Sequence, residues 1–560
     1  MVTKEKYLSL MEKCLSAYTD EHIEQYFNEV KTRGLKEHGF PRLTVCIGIL
    51  VAHGRRVYLR DLFYEMMEFC CKTIPNVKAA NDFSVREIIF CIMELEKQNA
   101  VDSEALKRWK KYLTDIDPSK CYNVFAKQPT DVVYNWALFT GVSEYMRQYI
   151  GLNDTSDFVD LQIESQLVHL DENLMYKDAP IHPPIVYDMV SRSLFSMLLH
   201  FGYHGKYFNA IDECLRKAGL LTLKMQSVTG EIPFGGRSNQ FIHNDGLMIM
   251  IGEFEANRYK REGDLETAAK FKSAVALAVA NAEKWFDKDP MYHIKNRFPL
   301  ETHYGCEEYG YFDKYMITTA SWFYTAYLMC DELIPCGELG ENTEIFRTSD
   351  DFHKIFIRCG GYFLEFDVDA DIHYDASGLG RVHKKGAPSS ICLSVPCPPT
   401  SKAHYITNVE NAEPISLCPA IFEDGMPIFA TGENVKYEVK ELTTTEKFAY
   451  TSLCCIFDGG KRVDSSYKVD SCGVEISISG DSNVAFALPA FCFDGEKNTE
   501  IRHDEKSISV IYQGWECRYT TDGRIVNSGK TAYNRNGHYG VFYAKANKEL
   551  KVKIEISKRG

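Results

Sequence analysis

The densest group of polar side chains lies in residues 230–246, named here the polar segment. Its functional candidates are Arg237, Asn239, Gln240, His243, Asn244 and Asp245. Capping of the neighbouring helices needs fewer such groups, because one Asn or Asp satisfies a helix end. The adjacent Gly235 and Gly236 also let the backbone approach a ligand closely. We expect the polar segment to bind a ligand and act on it.

A second group lies in residues 301–315, named here the tyrosine-rich segment, which holds four tyrosines, one histidine and several carboxylates. Aromatic faces stack on sugar rings and carboxylates accept hydrogen bonds from hydroxyl groups, so this composition favours a carbohydrate site. The alternative is that the tyrosines are half-buried packing residues. The candidates are His303, Tyr304, Glu307, Tyr309 and Tyr311.

A third group, in residues 371–386, contains His373, Arg381 and His383. With Asp371 and Asp375 the two histidines have the donor types of a metal site, but their spacing matches no strong zinc pattern. A polar β-hairpin and a catalytic contribution are the other interpretations. Tyr187 and Asp188 form a fourth group at a predicted helix start, where the helix dipole alone explains an acidic side chain.

The elements that must position these groups change type along the chain. Apolar residues recur every three or four positions up to about residue 340, in segments such as 85–95 and 186–201, with Gly and Pro between them. No fixed-period repeat is present, which favours a closed toroid of helical hairpins over a solenoid. Residues 1–340 are therefore predicted to form a helical (α/α) toroid.

Apolar and polar residues alternate in the remainder, for example in residues 474–479, 507–512 and 551–556. Many short alternating strands separated by turns are typical of an antiparallel β-sandwich. We predict that residues 341–560 form such a sandwich, so the fold class is α+β with two domains.

Composition excludes several classes of protein. The 64 Lys and Arg against 78 Asp and Glu give a net charge of −14, which argues against nucleic-acid binding, since that needs clustered cations. No run reaches the roughly 18 apolar residues that span a bilayer. The nineteen cysteines show no regular spacing. We expect a cytoplasmic protein with reduced thiols and no membrane association; homo-oligomerisation stays open.

The order of these features resembles the heparinase-like polysaccharide lyases, a group that includes the heparinase II/III and oligoalginate lyases. In that group an α/α toroid carries an Asn/His loop and then a Tyr loop, and a β-sandwich carries a further histidine. The resemblance implies that the matching positions are Asn239, His243 and Asn244, then Tyr304, Tyr309 or Tyr311, then His373 or His383. The two sandwich histidines are ten residues apart here, whereas the family spaces them closely.

The resemblance implies cleavage of a uronate-containing oligosaccharide or polysaccharide by β-elimination. Neutralising the uronate carboxylate acidifies the C5 proton, and one well-placed donor, such as Arg237 or Asn239, contributes about 3 to 4 kcal/mol. Proton transfer by His243 and a tyrosine contributes about 10² to 10⁴ in rate for each group. No cofactor is implied, and a structural divalent metal in the sandwich stays open.

Two other functions fit the same residues. A glycoside hydrolase on an α/α barrel needs two carboxyl groups, which Asp188, Asp245 and either Glu307 or Glu308 could supply. A non-catalytic carbohydrate-binding protein needs only the stacked aromatic rings. For the lyase we predict that Asn239, His243 and one of Tyr304, Tyr309 or Tyr311 converge at the mouth of the toroid. We expect His373, Arg381 or His383 to join them from the sandwich.

Overall fold

The computed structural model describes residues 2–289, 291–307, 312–339, 342–396 and 413–560. Within them, fourteen α-helices precede fifteen β-strands. The helices are α1 (Lys4–Leu15), α2 (Asp20–Arg33), α3 (Gly39–Ala52), α4 (Arg60–Thr73), α5 (Val85–Lys97), α6 (Ser103–Thr114), α7 (Pro118–Cys121), α8 (Asn135–Tyr149), α9 (Ser156–Leu167), α10 (Ile185–His200), α11 (Phe208–Met225), α12 (Ile242–Glu262), α13 (Leu265–Glu283) and α14 (Phe312–Met329).

Six helices form a closed ring. Helices α3, α5, α8, α10, α12 and α14 each contact the next one in that order, and α14 returns to contact α3. Outside this ring, α1 packs on α14, α4 on α3, α9 on α8, α11 on α10 and α13 on α12. The helical half is therefore an α/α toroid, which confirms the prediction from the stacked hairpins.

Apolar patterning explains which helices lie inside. In α3 every residue from Gly39 to Val51 is buried, and α12 likewise buries side chains on all its faces. The outer helix α2 buries only the stripe of Ile23, Phe27 and Val30. A helix that is apolar all round needs neighbours on every side, which a place in the inner ring provides.

The strands form two antiparallel sheets. They are β1 (Glu344–Arg347), β2 (Lys354–Cys359), β3 (Tyr362–Asp367), β4 (Gly378–Lys384), β5 (Pro419–Glu423), β6 (Met426–Phe429), β7 (Val435–Thr444), β8 (Ala449–Phe457), β9 (Arg462–Asp470), β10 (Gly473–Phe493), β11 (Glu500–His503), β12 (Ser507–Tyr512), β13 (Trp515–Thr521), β14 (Arg524–Asn534) and β15 (Gly537–Lys558). The first sheet has the order β1-β2-β3-β4, and the second follows β11-β12-β13-β15-β10-β9-β8-β7, with β14 paired to β15 and the β5–β6 hairpin paired to β10.

The two sheets share one apolar core. Ile357 and Leu364 of the first sheet belong to the same buried cluster as Tyr467, Val474 and Ile476 of the second. The segments that alternate in sequence fall on β10, β12 and β15, where every second side chain is buried or half-buried. The antiparallel β-sandwich is thus confirmed.

The toroid ends and the sandwich begins within a short stretch. The last helix ends at Met329 and the first strand starts at Glu344, while residues 340 and 341, the predicted boundary, lie outside the described residues. The two halves are hydrogen-bonded to each other, for example from Arg381 Nη1 to the Ile232 carbonyl oxygen at 2.9 Å. Among the described residues no helix is long and apolar enough to cross a membrane.

Candidate active site

A cavity of about 450 Å³ opens at one mouth of the toroid. Side chains from the first turns of the inner helices line it, with Arg42 in α3, Asn135 in α8, Tyr187 in α10, His243 in α12 and Tyr315 in α14. The N-terminal ends of these helices therefore meet around one volume. Helix N-termini carry partial positive charge and unpaired N–H groups, so the cavity is suited to an anionic ligand.

The polar segment reaches the cavity through a tight turn. Gly235 and Gly236 have φ angles of 121° and 76°, in the left-handed region that favours glycine. A Cβ atom on Gly236 would lie 2.6 Å from the Cβ atom of Pro184. The turn places Arg237 against α10, where its guanidinium lies 4.5 Å from the centre of the Tyr187 ring.

Arg237 is held in this position by a buried carboxylate. Its Nη2 atom lies 2.6 Å from Oδ2 of Asp178, while a third of the Arg237 side chain (33%) stays exposed. Asp178 also accepts a hydrogen bond from the Asn135 side chain at 2.6 Å. An anchored but accessible guanidinium can still donate hydrogen bonds to an anionic ligand.

His243 and Tyr315 form the pair of groups that can transfer protons. Their rings are 4.8 Å apart. Burial lowers the pKa of His243 to about 3, so its imidazole is neutral at neutral pH. The Tyr315 hydroxyl bonds to Oγ of Ser238 at 2.5 Å, and the Tyr187 hydroxyl bonds to the same oxygen at 3.0 Å. A chain of three hydroxyl groups thus runs beside the imidazole.

The charges around the cavity are mostly positive. Arg42, Arg237 and Lys314 line it, and Glu37 is the single carboxylate among the described lining residues. Arg42 is paired with buried Glu87 through two contacts of 2.9 Å. Glu37 accepts hydrogen bonds from the Tyr26 hydroxyl and, at 2.6 Å, from the Gly39 N–H group. The excess of cations matches a carboxylate or sulfate group.

Asn239, Gln240 and Asn244 are turned into the polar segment itself. The Asn239 amide donates to the carbonyl oxygens of Pro233 at 2.9 Å and Gly235 at 3.0 Å. Gln240 is buried and bonds to the Asn239 side chain. Oδ1 of Asn244 accepts from the Phe241 N–H group at 2.8 Å, which caps α12. The three amides shape the segment, and their predicted contact with substrate stays a prediction.

Three of the four carboxyl groups suggested for hydrolysis are buried in ion pairs, and the fourth, Glu308, lies outside the described residues. Asp188 pairs with Arg192 at 2.8 Å and Asp245 pairs with Lys295 at 2.7 Å. Glu307 pairs with Arg535 at 2.7 Å and also accepts from the Ser238 N–H group at 2.7 Å. None of the three lines the cavity in the described structure.

The tyrosine-rich segment contributes Tyr315 to the cavity. Tyr304 instead stacks on Phe298 at 3.6 Å between ring centres, and its hydroxyl donates to the Gly537 carbonyl oxygen. His303 is half-buried in a left-handed turn away from the cavity wall. Tyr309 and Tyr311 lie outside the described residues.

The sandwich candidates do not reach the cavity among the described residues. His373 is exposed, and Arg381 is buried in an ion pair with Glu365 at 2.8 Å. His383 is bonded through Nδ1 to Ser227 at 2.6 Å and through Nε2 to Ser394 at 3.0 Å. Burial holds the pKa of His383 well below its usual value. Arg381 and His383 fasten the sandwich to the toroid, which differs from the expected convergence.

Several residues that line the cavity were not predicted from the sequence. They are Glu37, His38, Arg42, Asn135, Trp136, Lys314 and Tyr315. The first five lie outside the polar clusters of the sequence, and Lys314 and Tyr315 lie at the end of the tyrosine-rich segment but were not among its candidates. The available signal was position, since all of them lie in or just before the first turn of an inner helix. Arg535 was also missed, although it donates to the Asn239 carbonyl oxygen at 2.6 Å.

No protein-family model and no curated protein sequence matches the chain. A heparinase III structure matches with a TM-score of 0.53 at 10% identity, over 100% of this chain and 85% of that chain. A chondroitin AC lyase from Streptomyces coelicolor A3, in complex with chondroitin sulphate, matches with a TM-score of 0.51 at 9% identity, over 98% and 83%. In its fold, over nearly its whole length, this chain is similar to the heparinase III and chondroitin AC polysaccharide lyases.

Proposed function

We propose that this protein is a lyase that cleaves uronate-containing glycan chains by β-elimination. The observation that carries the proposal is the pairing of His243 with Tyr315, 4.8 Å apart, in a cationic cavity at converging helix N-termini. The similarity in fold to two polysaccharide lyases agrees with it.

Recognition of the substrate carboxylate is assigned to Arg237, with Lys314, which also lines the cavity, as a second cation. Removal of the C5 proton develops negative charge on the carboxylate in the enolate-like transition state. Donors that are already oriented stabilise that charge, and loss of one such donor typically costs about 10² to 10³ in rate. The anchoring of Arg237 by Asp178 at 2.6 Å provides this orientation.

Proton transfer is assigned to His243 and Tyr315. The neutral imidazole accepts the C5 proton, the electron pair forms the C4–C5 double bond, and the C4–O bond breaks. The Tyr315 hydroxyl gives its proton to the departing oxygen. The bond of 2.5 Å between Tyr315 and Ser238 orients that hydroxyl beside the imidazole.

The positions and hydrogen-bond partners of the described carboxylates favour elimination over hydrolysis. A glycoside hydrolase places two carboxyl groups on opposite sides of the scissile bond. Glu37 is the only carboxylate among the described residues that line the cavity, and both its oxygens already accept hydrogen bonds from the protein. Asp188, Asp245 and Glu307 are each bound to a buried cation.

The test incubates the purified protein with heparan sulfate, chondroitin sulfate and alginate oligosaccharides while ultraviolet absorbance and reducing ends are followed together. Elimination produces a conjugated double bond, so both signals rise in parallel on at least one substrate. Reducing ends without new absorbance would replace the lyase by a hydrolase. If every glycan that binds saturably gives neither new absorbance nor new reducing ends, the protein would instead be a carbohydrate-binding protein. The His243→Ala variant controls for a contaminating lyase, because its activity should vanish.

A further inference from the structure

The candidate cavity continues into the ring beyond the level of Tyr315. Tyr315, Thr318 and Trp322 all line it, and their spacing of three and four residues places them on one face of α14. A helix rise of 1.5 Å per residue puts Trp322 about 10 Å further into the ring than Tyr315. Phe139 and Val190 also line the cavity, each from the second turn of its helix. The cavity is therefore deep enough to hold at least one sugar ring past Tyr315.

The ring encloses this deep part on all sides. The described lining residues lie in or shortly before α3, α5, α8, α10, α12 and α14, which are the six members of the ring. At the floor, Phe139, Val190 and Trp322 belong to the same buried core as Leu194, one turn beyond Val190 on α10. A second cavity, of about 720 Å³, opens at the opposite mouth and shares no described lining residue with the first. Within the described structure the ring thus has an entrance but no passage through it.

We propose that the protein is exolytic: the end of the glycan chain enters the ring, and cleavage releases a short product of one length. This inference rests on the proposed lyase function. The proton-transfer groups His243 and Tyr315 and the cations Arg237 and Lys314 lie in or before the first helical turns, so the uronate is held near the mouth. Beyond it the chain meets a closely packed floor, which leaves room for a terminal portion only. The depth of the cavity sets the length of the product.

The floor and one wall have groups suited to a terminal sugar. The Phe83 ring lies 4.6 Å from the rings of Trp136 and Phe139, which forms an aromatic wall. Aromatic faces stack on sugar rings. The Nε1–H group of Trp322 is buried and has no hydrogen-bond partner in the described structure. A buried donor without a partner is costly, and a sugar hydroxyl at the floor would accept its hydrogen bond.

The first experiment measures product size early in the reaction. The glycan that gives ultraviolet absorbance with this protein is digested to a small extent and separated by size-exclusion chromatography. We expect one short unsaturated product from the start, while the remaining polymer keeps nearly its full length. A ladder of intermediate sizes at low conversion would overturn the exolytic proposal and leave the lyase assignment intact.

Binding tests the same inference without turnover. Size fractions of heparan sulfate, chondroitin sulfate and alginate are titrated into the His243→Ala variant by calorimetry. If a chain end binds, one protein should bind per chain, with the same Kd for short and long fractions of a glycan. A stoichiometry that rises with chain length would overturn the inference even if no glycan is cleaved. Failure of every fraction to bind would overturn both the inference and the proposed function.

Variants test whether the deep part holds the chain end. Val190→Phe should lower kcat/KM at least tenfold, because the larger side chain occupies the space of the terminal sugar. The matched control is Leu199→Phe, a half-buried position at the far end of the same helix, which should leave kcat/KM unchanged. Thermal unfolding verifies that both variants are folded. Full activity of folded Val190→Phe would overturn the proposal.

A second substitution decides if Val190→Phe does not fold. Trp322→Phe keeps an aromatic ring at the floor but removes the indole N–H group. It should raise KM severalfold with kcat nearly unchanged, since it loses a contact with the terminal sugar and leaves the groups near the mouth in place. A KM equal to that of the natural protein would remove Trp322 from the binding of the chain end and overturn the proposal.

Discussion

Glu307 and Arg535 form a buried ion pair, 2.7 Å from Oε1 to Nη2, that joins the tyrosine-rich segment to the turn between β14 and β15. The same carboxylate accepts from the Ser238 N–H group, and Arg535 donates to the Asn239 carbonyl oxygen. Ser238 in turn bonds to the Tyr315 hydroxyl. The placement of the candidate acid therefore depends on a sandwich residue.

Breaking this pair should destabilise the protein strongly. Glu307→Gln or Arg535→Met leaves a buried charge without its partner, which typically costs about 3 to 5 kcal/mol. Chemical unfolding of each variant and of the double variant measures the cost, and the double variant should lose less than the sum. Lys107→Gln, which removes an exposed ion pair with Glu104, is the control and should show no measurable change. Equal stability of all variants would contradict the buried-pair account.

The role of Tyr315 in proton transfer can be tested by substitutions on α14. Tyr315→Phe should lower kcat by about 10² to 10⁴ with the fold intact, because only the hydroxyl is removed. His243→Ala should have a similar effect. The matched control is Tyr327→Phe, since Tyr327 lies twelve residues along the same helix, at the opposite end of the ring. Full activity of Tyr315→Phe in the absorbance assay would remove Tyr315 from the mechanism.

Arg237 is expected to act through its charge and its planar shape. Arg237→Ala should lower kcat/KM by about 10² to 10³, and Arg237→Lys should recover little, because Lys lacks the planar group that lies over Tyr187. Asp178→Asn should have a smaller effect, since the cation remains but loses its charged anchor. These effects are compared by measuring kcat/KM of the three variants on one glycan at a fixed ionic strength. An Arg237→Lys variant as active as the natural protein would refute this geometry.

The neutral state of His243 predicts a dependence of stability on pH. Burial lowers the pKa of this histidine to about 3 in the folded protein, against about 6.5 when unfolded. Between these values the unfolded chain binds a proton that the folded chain does not, so stability falls as the pH falls. His243→Gln should remove up to about 1.4 kcal/mol per pH unit from that slope. Urea unfolding at pH 4, 5, 6 and 7 measures it, and identical slopes would contradict the assignment.

Substitution of Gly236 tests whether the turn at this residue positions Arg237. Gly236→Ala should destabilise the protein by about 1 to 3 kcal/mol and reduce activity, because its φ angle is positive and the new Cβ atom would overlap Pro184. The control is Gly34→Ala, which also has a positive φ angle but no atom within 4 Å of the added Cβ. Thermal unfolding and the absorbance assay compare the two. A smaller loss in Gly236→Ala than in Gly34→Ala would show that the contact with Pro184 does not matter.

The fold could be predicted from the sequence because the hydrophobic periodicity that indicates it is a local property of the chain. A period of 3.6 in the first half and of 2 in the second decides which faces of helices and strands can be buried, and neighbouring residues alone set that period. The position of His243 on the cavity wall could be expected for a related reason. His243 belongs to a polar cluster at a predicted helix start, and helix starts meet at one mouth of a closed ring.

The sequence by itself thus determined the toroid, the sandwich and the position of the polar segment. The tertiary structure decided which side chains face the cavity. Asn239, Asp245 and Glu307 look like binding groups in the sequence. In the structure the Asn239 amide is hydrogen-bonded to the backbone of its own loop, whereas Asp245 and Glu307 each form an ion pair with a buried cation distant along the chain. Arg42 and Tyr315 reach the cavity because the ring closes. Hydrogen bonds and ion pairs between remote residues depend on that closure, which no local pattern of residues encodes.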